Sequence, residues 1–219
     1  MSSWEEKYIN KRSAVKRIHR LKRRLVEISD NIKLSDKQET GKLLEIGTGD
    51  GMLLDALEKL FPSFDFTGIE SKDELIGLIK NKKQRVIKAE ASNMPFKDSE
   101  FDFVVMSATI EHIIDPDSAL KEIKRVIKNE GVLIITWPNP FWDRINQVFV
   151  DTGHCKKFTF KKMKKLLQNN GFKITRSYGF MLFPFFKIPF QRLLENALKL
   201  IKLDFLLFNY LVVAKEGLH

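Results

Sequence analysis

LLEIGTGDGMLL (residues 43–54) is the stretch on which the reading of the chain turns. An apolar run carries one carboxylate, Glu45, and leads directly into three glycines, Gly47, Gly49 and Gly51, before apolar residues resume at Met52. Glycine adopts φ > 0 without steric cost and lets backbone approach a ligand closely. The pattern therefore predicts a buried strand, a tight loop that something approaches, and a helix.

The same alternation continues along the chain. Strands are expected at 42–48, 65–70, 85–90, 101–108, 132–138, 173–179 and 205–216, and helices at 52–61, 73–81, 118–129 and 159–172. FDFVVMSA and VLIITWP are continuous apolar runs, as in strands covered on both faces. Gly131 is expected to stop the third of these helices and Gly171 to cap the fourth. Ile18, Leu21, Leu25, Ile28 and Ile32 step by three and four and mark a further helix ahead of the first strand; Phe190, Leu193, Leu194, Ala197, Leu198 and Ile201 mark another before the last. Strands alternating with helices imply an α/β fold: a Rossmann-like, doubly wound, mostly parallel sheet of seven strands. Ligands of such sheets sit outside the carboxyl ends of the strands, where the glycine loop lies. The expected division is a basic helical cap over 1–40 and a main domain over 41–219, with a helical insertion at about 180–204.

The 219 residues are 43% hydrophobic and 30% charged, ordinary for a soluble globular protein. There is one cysteine, Cys155, so no internal disulfide. The N-terminus lacks a signal-type apolar core, and no run approaches the roughly 20 apolar residues needed to span a bilayer. The expected location is cytoplasmic, with peripheral membrane contact open. The net charge of +10 is uneven: residues 1–37 carry eleven Lys/Arg against five Asp/Glu, and residues 154–176 carry eight and none. That asymmetry concerns partners rather than fold.

What would the loop hold? A phosphate-gripping loop needs GxxxxGK[ST], and no lysine follows Gly51. The dinucleotide fingerprint fails because Met52 stands at its last glycine. A carboxylate beside the loop would repel a pyrophosphate and attract an ammonium or sulfonium. Glu70, at the end of the second strand, has the spacing of an acid that binds ribose hydroxyls. A nucleoside with a cation and no phosphate describes S-adenosylmethionine.

At this point five segments fall into register with one family. LLEIGTGDG, FTGIE, AEASNMPFKDSEFDFVVM, MSATIEHI and ALKEIKRVIKNEGVLIITWPNP resemble the motifs of class I S-adenosylmethionine-dependent methyltransferases, in the subgroup that acts on small molecules and lipids. The resemblance covers roughly residues 40–176, with an antiparallel final strand near the C-terminus. It implies that Gly47, Gly49 and Gly51 meet the methionine part of the cofactor with Glu45 nearby. Glu70 would bind the ribose, Glu90 and the Ala91 amide the adenine, and Ser107 would lie beside the methionine. Met94 or Ile69 is either an adenine contact or plain core, and Tyr8 either closes over the cofactor or anchors a helix.

Methyl transfer from a sulfonium needs alignment more than covalent help; good orientation supplies on the order of 7–11 kcal/mol. A hydroxyl acceptor would also use a base, and His112 and His154 are the catalytic candidates. Some quinone O-methyltransferases of this type place a second glutamate where this chain has Ala108; without it Glu111 and His112 make a poor site for a hard cation, so no metal is expected. The basic segments, together with FMLFPFFKIPF (180–190), point to an amphipathic acceptor: an isoprenoid quinone precursor, a lipid or a lipid-linked intermediate, with contact to an anionic membrane. Two alternatives stay open. One is an RNA methyltransferase whose basic segments grip phosphates, with Asn139 of WPNP as its nearest motif-like residue. The other is a non-catalytic cofactor-binding protein of the same fold.

Overall fold

A computed structural model describes residues 11–35, 40–147, 155–184 and 189–217. Seven strands form a single sheet in the order β3-β2-β1-β4-β5-β7-β6. They are β1 (Lys42–Ile46), β2 (Asp65–Glu70), β3 (Val86–Lys88), β4 (Phe101–Ser107), β5 (Ile127–Pro138), β6 (Phe172–Phe180) and β7 (Asn209–Glu216). All neighbours pair in parallel except β7, which is antiparallel to both β5 and β6. Among the described residues the helices are α1 (Lys11–Lys33), α2 (Met52–Leu60), α3 (Asp73–Ile76), α4 (Pro116–Val126), α5 (Pro140–Gln147), α6 (Phe160–Asn169) and α7 (Gln191–Leu200).

Strand alternation divides the core into two layers. Leu44, Ile46, Val104, Met106, Leu133 and Ile135 face one side, covered by α4 and α6 through Leu120, Ile123, Met163 and Leu167. Leu43, Phe103, Val105, Ile134 and Val213 face the other, covered by α1 and α2 through Ile28, Ile32, Leu53 and Leu57. The predicted stripe of α1 thus lies against the sheet at its Ile28–Ile32 end, while Ile18 is exposed. The two basic helices, α1 and α6, occupy opposite layers.

Several predicted boundaries move. α4 starts earlier, at Pro116, where Asp115 caps it by accepting the Ser118 N–H at 3.2 Å. It ends at Val126, because Ile127 already pairs with Phe101 in the sheet. Gly131 therefore lies inside β5 rather than stopping the helix; a Cβ there would come within 2.6 Å of the Lys128 carbonyl oxygen. α3 is a single turn that closes at Gly77 instead of reaching 81. β3 is three residues long, and Glu90 leaves it to bridge Asn93. β7 begins at Asn209, since Asp204–Leu206 coils into a 3₁₀ turn. α5 was not anticipated: Pro140 opens it directly after β5, and Asn139 accepts the Phe141 N–H. The Gly171 cap is as expected, with φ +79°. No helix among the described residues is long and apolar enough to cross a membrane.

Candidate active site

The carboxyl ends of β1, β2, β3 and β4 lie side by side. Ile46 is level with Ile69 and with Met106, and Glu70 with Lys88. Gly47, Glu70, Ala89–Glu90 and Ser107 therefore emerge along one edge of the sheet. The glycine loop closes against β2: the N–H groups of Gly47 and Thr48 both donate to the Ile69 carbonyl, at 2.9 and 3.0 Å. Gly47, Gly49 and Gly51 have φ of +74°, +60° and +76°, a region that side chains with a Cβ rarely adopt. Gly47 is also hemmed in, since a Cβ would lie 2.4 Å from Thr109 Oγ1.

Glu70 ties the loop to its own strand. Its Oε2 accepts the Gly49 N–H at 2.9 Å, and its Oε1 accepts the N–H groups of Ser71 and Lys72 at 2.9 and 3.2 Å. A carboxylate offers about four lone-pair sites. Three are taken by backbone, which fixes the plane of the group at the tip of β2 and leaves one site on Oε2.

Glu45 stands where strand alternation calls for an apolar residue on the α1–α2 layer. It is 1% exposed, and its Oε2 accepts no hydrogen bond. Burial pushes its carboxyl well above the usual range, and Asp50 and Glu70 push the same way; Arg24 of α1 and the Leu54 backbone oppose them. A buried acid in this state is complementary to an added positive charge, since a nearby cation restores its ionised form.

Glu90 is exposed, and its carbonyl accepts the Asn93 N–H at 3.1 Å. The turn that follows is clamped by α4: Glu122 accepts the Met94 N–H, and Arg125 donates to the carbonyls of Met94 and Phe96. Ala91 is half-buried on this turn, whereas Ile69 and Met94 belong to the core. Ser107 is half-buried with its hydroxyl 3.3 Å from Thr136 Oγ1. His112 ends a 3₁₀ turn, half-buried, its N–H donating to the Thr109 carbonyl. The adjacent Glu111 carbonyl accepts the N–H groups of Cys155 and Lys156, which brings the segment leading to α6 against this turn. His154 and Tyr8 lie outside the described residues.

The edge relies on residues that no motif singled out. Thr109 walls Gly47, Gln84 donates to the Gly51 carbonyl at 3.0 Å, and Arg24 faces Glu45. Gln84 is remote in sequence from the loop, so no local spacing announces it. Asn139 is a structural clamp: its amide donates to the carbonyls of Phe205 and Leu207 at 2.9 and 2.8 Å. Among the described residues, no three His, Cys, Asp or Glu side chains gather closely enough to hold a metal ion. A shallow depression lined by Lys42, Asp65, Arg85 and Glu100 lies at the far, amino-terminal edge, away from all these groups.

A glycine loop, an acid at the tip of β2 and this strand order together define a methyltransferase-type site. A family model described as a methyltransferase domain matches residues 14–177, and the chain belongs to that family, the class I S-adenosylmethionine-dependent methyltransferases. An uncharacterized protein of Methanocaldococcus jannaschii is 31% identical over 163 residues, covering 74% of this chain and 68% of that one. Demethylmenaquinone methyltransferase of Thermotoga maritima is 29% identical over 96 residues, 43% of this chain and 42% of that one. The chain thus matches less than half the length of several curated relatives. The crystal structure of an S-adenosylmethionine-dependent methyltransferase from Thermotoga maritima superposes with a TM-score of 0.71 over 97% of this chain and 98% of that one; at 20% identity this likeness concerns fold.

The residues present fit the family's cofactor. Glu45 offers a buried acidic oxygen without a hydrogen bond, and the glycines keep the loop bare of side chains. Glu70 retains one open acceptor site.

Proposed function

We propose that the chain transfers a methyl group from S-adenosylmethionine to a small acceptor with an apolar body, at the carboxyl edge of the sheet. The observation that carries this reading is the Glu70–Gly49 hydrogen bond, which locks a carboxylate against a glycine loop that has no phosphate-gripping lysine. When bound, the cofactor supplies a methyl group on a sulfonium, a leaving group that needs no protonation.

The chain's own residues then bind and orient. Glu45 places negative charge behind the loop as the cation arrives. Glu70 accepts from the ribose diol; with one site open, taking both hydroxyls requires one of its three backbone bonds to lengthen. Glu90 and the Ala91 N–H, on the turn held by Arg125, address the adenine, and Ser107 borders the methionine part. His112 takes a proton from the acceptor where one must leave, and His154 is the second candidate for that task. This assignment suits a cytoplasmic enzyme working beside a membrane.

Two observations favour an amphipathic acceptor, such as a quinone precursor, a lipid or a lipid-linked intermediate. The connection between β6 and β7 leaves the same sheet edge and exposes large apolar side chains, among them Phe190 and Leu200. Demethylmenaquinone methyltransferase is among the relatives. The RNA alternative loses support, because α1 and α6 lie on opposite layers and form no single phosphate track, and because Asn139 is spent on structure.

Calorimetric titration with S-adenosylmethionine is expected to show one site. Glu70→Ala should weaken it by more than tenfold, about 1.4 kcal/mol or more. Labelled methyl groups should enter a lipid extract rather than RNA or protein. Wild-type protein that takes up no cofactor overturns the proposal, and label in RNA overturns the acceptor class.

A further inference from the structure

α7 is an inside-out helix. Two of its polar residues face the protein: Glu195 is 1% exposed and Gln191 6%. Glu195 Oε2 accepts from Arg23 of α1 at 2.5 Å, and its Oε1 accepts the Leu182 N–H at 2.9 Å and the Gln191 amide at 2.8 Å. Arg192 pairs with Asp30 at 2.9 Å, and the Lys199 ammonium sits 4.2 Å from the centre of the Tyr178 ring. The apolar side faces outward, with Leu193 67% exposed, Leu200 83% and Ile201 63%. These polar contacts hold the helix with Leu193, Leu194 and Leu200 turned to solvent. Clustered exposed apolar side chains of this kind mark an interaction surface.

The position of the patch narrows its occupant. Phe180 and Pro138 both pair with Asn209, so β6 ends level with β5, at the edge that carries the glycine loop. Trp142 of α5 donates to the Leu206 carbonyl at 2.7 Å, which ties α5 to the 3₁₀ turn that follows α7. The charge beside it is positive. Arg192, Lys199 and Lys202 belong to α7 and its end, with Arg192 paired to Asp30 of α1, and the other local carboxylates are engaged internally: Glu195 as above, and Asp204 by the Gly179 N–H at 2.7 Å. Neighbouring α1 carries nine Lys/Arg against two carboxylates. A second copy would bring like charges together. A surface that is apolar within and anionic outside matches both features.

We propose that the outward face of α7 docks on a bilayer bearing anionic headgroups, with Leu193, Leu200 and Ile201 entering the boundary between headgroups and acyl chains. This goes beyond the methyl-transfer reading and does not depend on it.

The test is sedimentation of the full chain with vesicles of phosphatidylcholine alone and of phosphatidylcholine mixed with phosphatidylglycerol. Wild-type protein should sediment with the mixed vesicles and only weakly with the neutral ones. The double variant Leu193→Ser/Leu200→Ser, at solvated positions, should keep its circular dichroism and lose about tenfold or more of its partition. Lys202→Glu should weaken binding to the mixed vesicles alone. Equal sedimentation of wild type and double variant, or none by wild type, overturns the proposal. So does a wild-type dimer that the double variant converts to monomer, since a second copy would then cover the face. Calorimetry with S-adenosylmethionine on both proteins reads the cofactor site separately, so either reading can fail alone.

Discussion

α1 and α7 are both amphipathic, and they touch each other through Arg23 and Glu195, yet they are turned opposite ways. α1 buries Ile28 and Ile32 against the sheet. α7 buries a glutamate and a glutamine and leaves Leu193, Leu194 and Leu200 in solvent. The difference lies in what each helix meets. α1 crosses a broad apolar sheet face, so burial of its stripe is favourable at about 25 cal/mol per Å². α7 meets polar and charged groups of α1 and the backbone of Leu182, and hydrogen bonds decide its orientation. A helix's apolar stripe shows that the helix is amphipathic; the surface it meets decides which side is buried.

The sharpest way to break this contrast is to truncate one apolar residue on each helix. Ile28→Ala should cost about 2–5 kcal/mol of unfolding free energy in urea denaturation, because it opens a cavity in a fully buried site. Leu200→Ser should change it by no more than about 0.5 kcal/mol, as at ordinary surface positions. A cost for Leu200→Ser comparable to that for Ile28→Ala would show α7 packed inward. Between these extremes, Glu195→Ala should cost about 2–3 kcal/mol and free α7 to fray, measured as faster amide exchange over 191–200. Removing one member of a buried pair leaves the other charge uncompensated; Arg23 keeps Glu27 at 3.2 Å, which holds the loss below the full value.

A smaller effect contrasts the buried acid of α7 with that of β1. Glu195 has partners for both oxygens, whereas Glu45 has a bare Oε2 and a carboxyl raised by burial. Unfolded, Glu45 titrates near 4.5. Above that pH the unfolded chain has released a proton that the folded chain still holds. Stability therefore falls as pH rises from about 4.5 toward the folded pKa. Glu45→Gln, neutral at every pH, should flatten this slope, so its advantage over wild type should grow across that window in urea midpoints measured without cofactor. A wild-type curve parallel to that of the variant would show Glu45 ionised and satisfied in the fold.

Much of this was legible in the chain itself. Apolar runs and their alternation with helical stretches placed all seven strands, though β5 and β7 were started at the wrong residue and β3 was drawn too long. The glycine loop with Glu45 and Glu70 marked the carboxyl edge of the sheet, because φ > 0 and a strand-end acid leave a local signature. Boundaries failed where tertiary pairing overrode local preference. Ile127 reads as helix by its apolar spacing, yet Phe101 recruits it into β5. α3 stops at Gly77, and the chain beyond it turns so that Asn81 reaches Asp55 and Gln84 reaches the Gly51 carbonyl. The supports of the site, Thr109, Gln84 and Arg24, were not legible, since each acts across the fold. The rotation of α7 was hidden for the same reason: Arg23, its main anchor, is on the most distant helix of the sequence.

The ladder between β6 and β7 is complete at Phe180 and Asn209 before the chain departs, and the departing segment returns onto a finished sheet margin. Of what lies between, the described residues form a pendant with buried roots at Met181, Leu207 and Phe208, held further by the Asn139 amide and a few polar contacts. Evolution could exchange such a pendant, altering where the protein sits and what it reaches, without disturbing the register of a single strand or the glycine loop after β1.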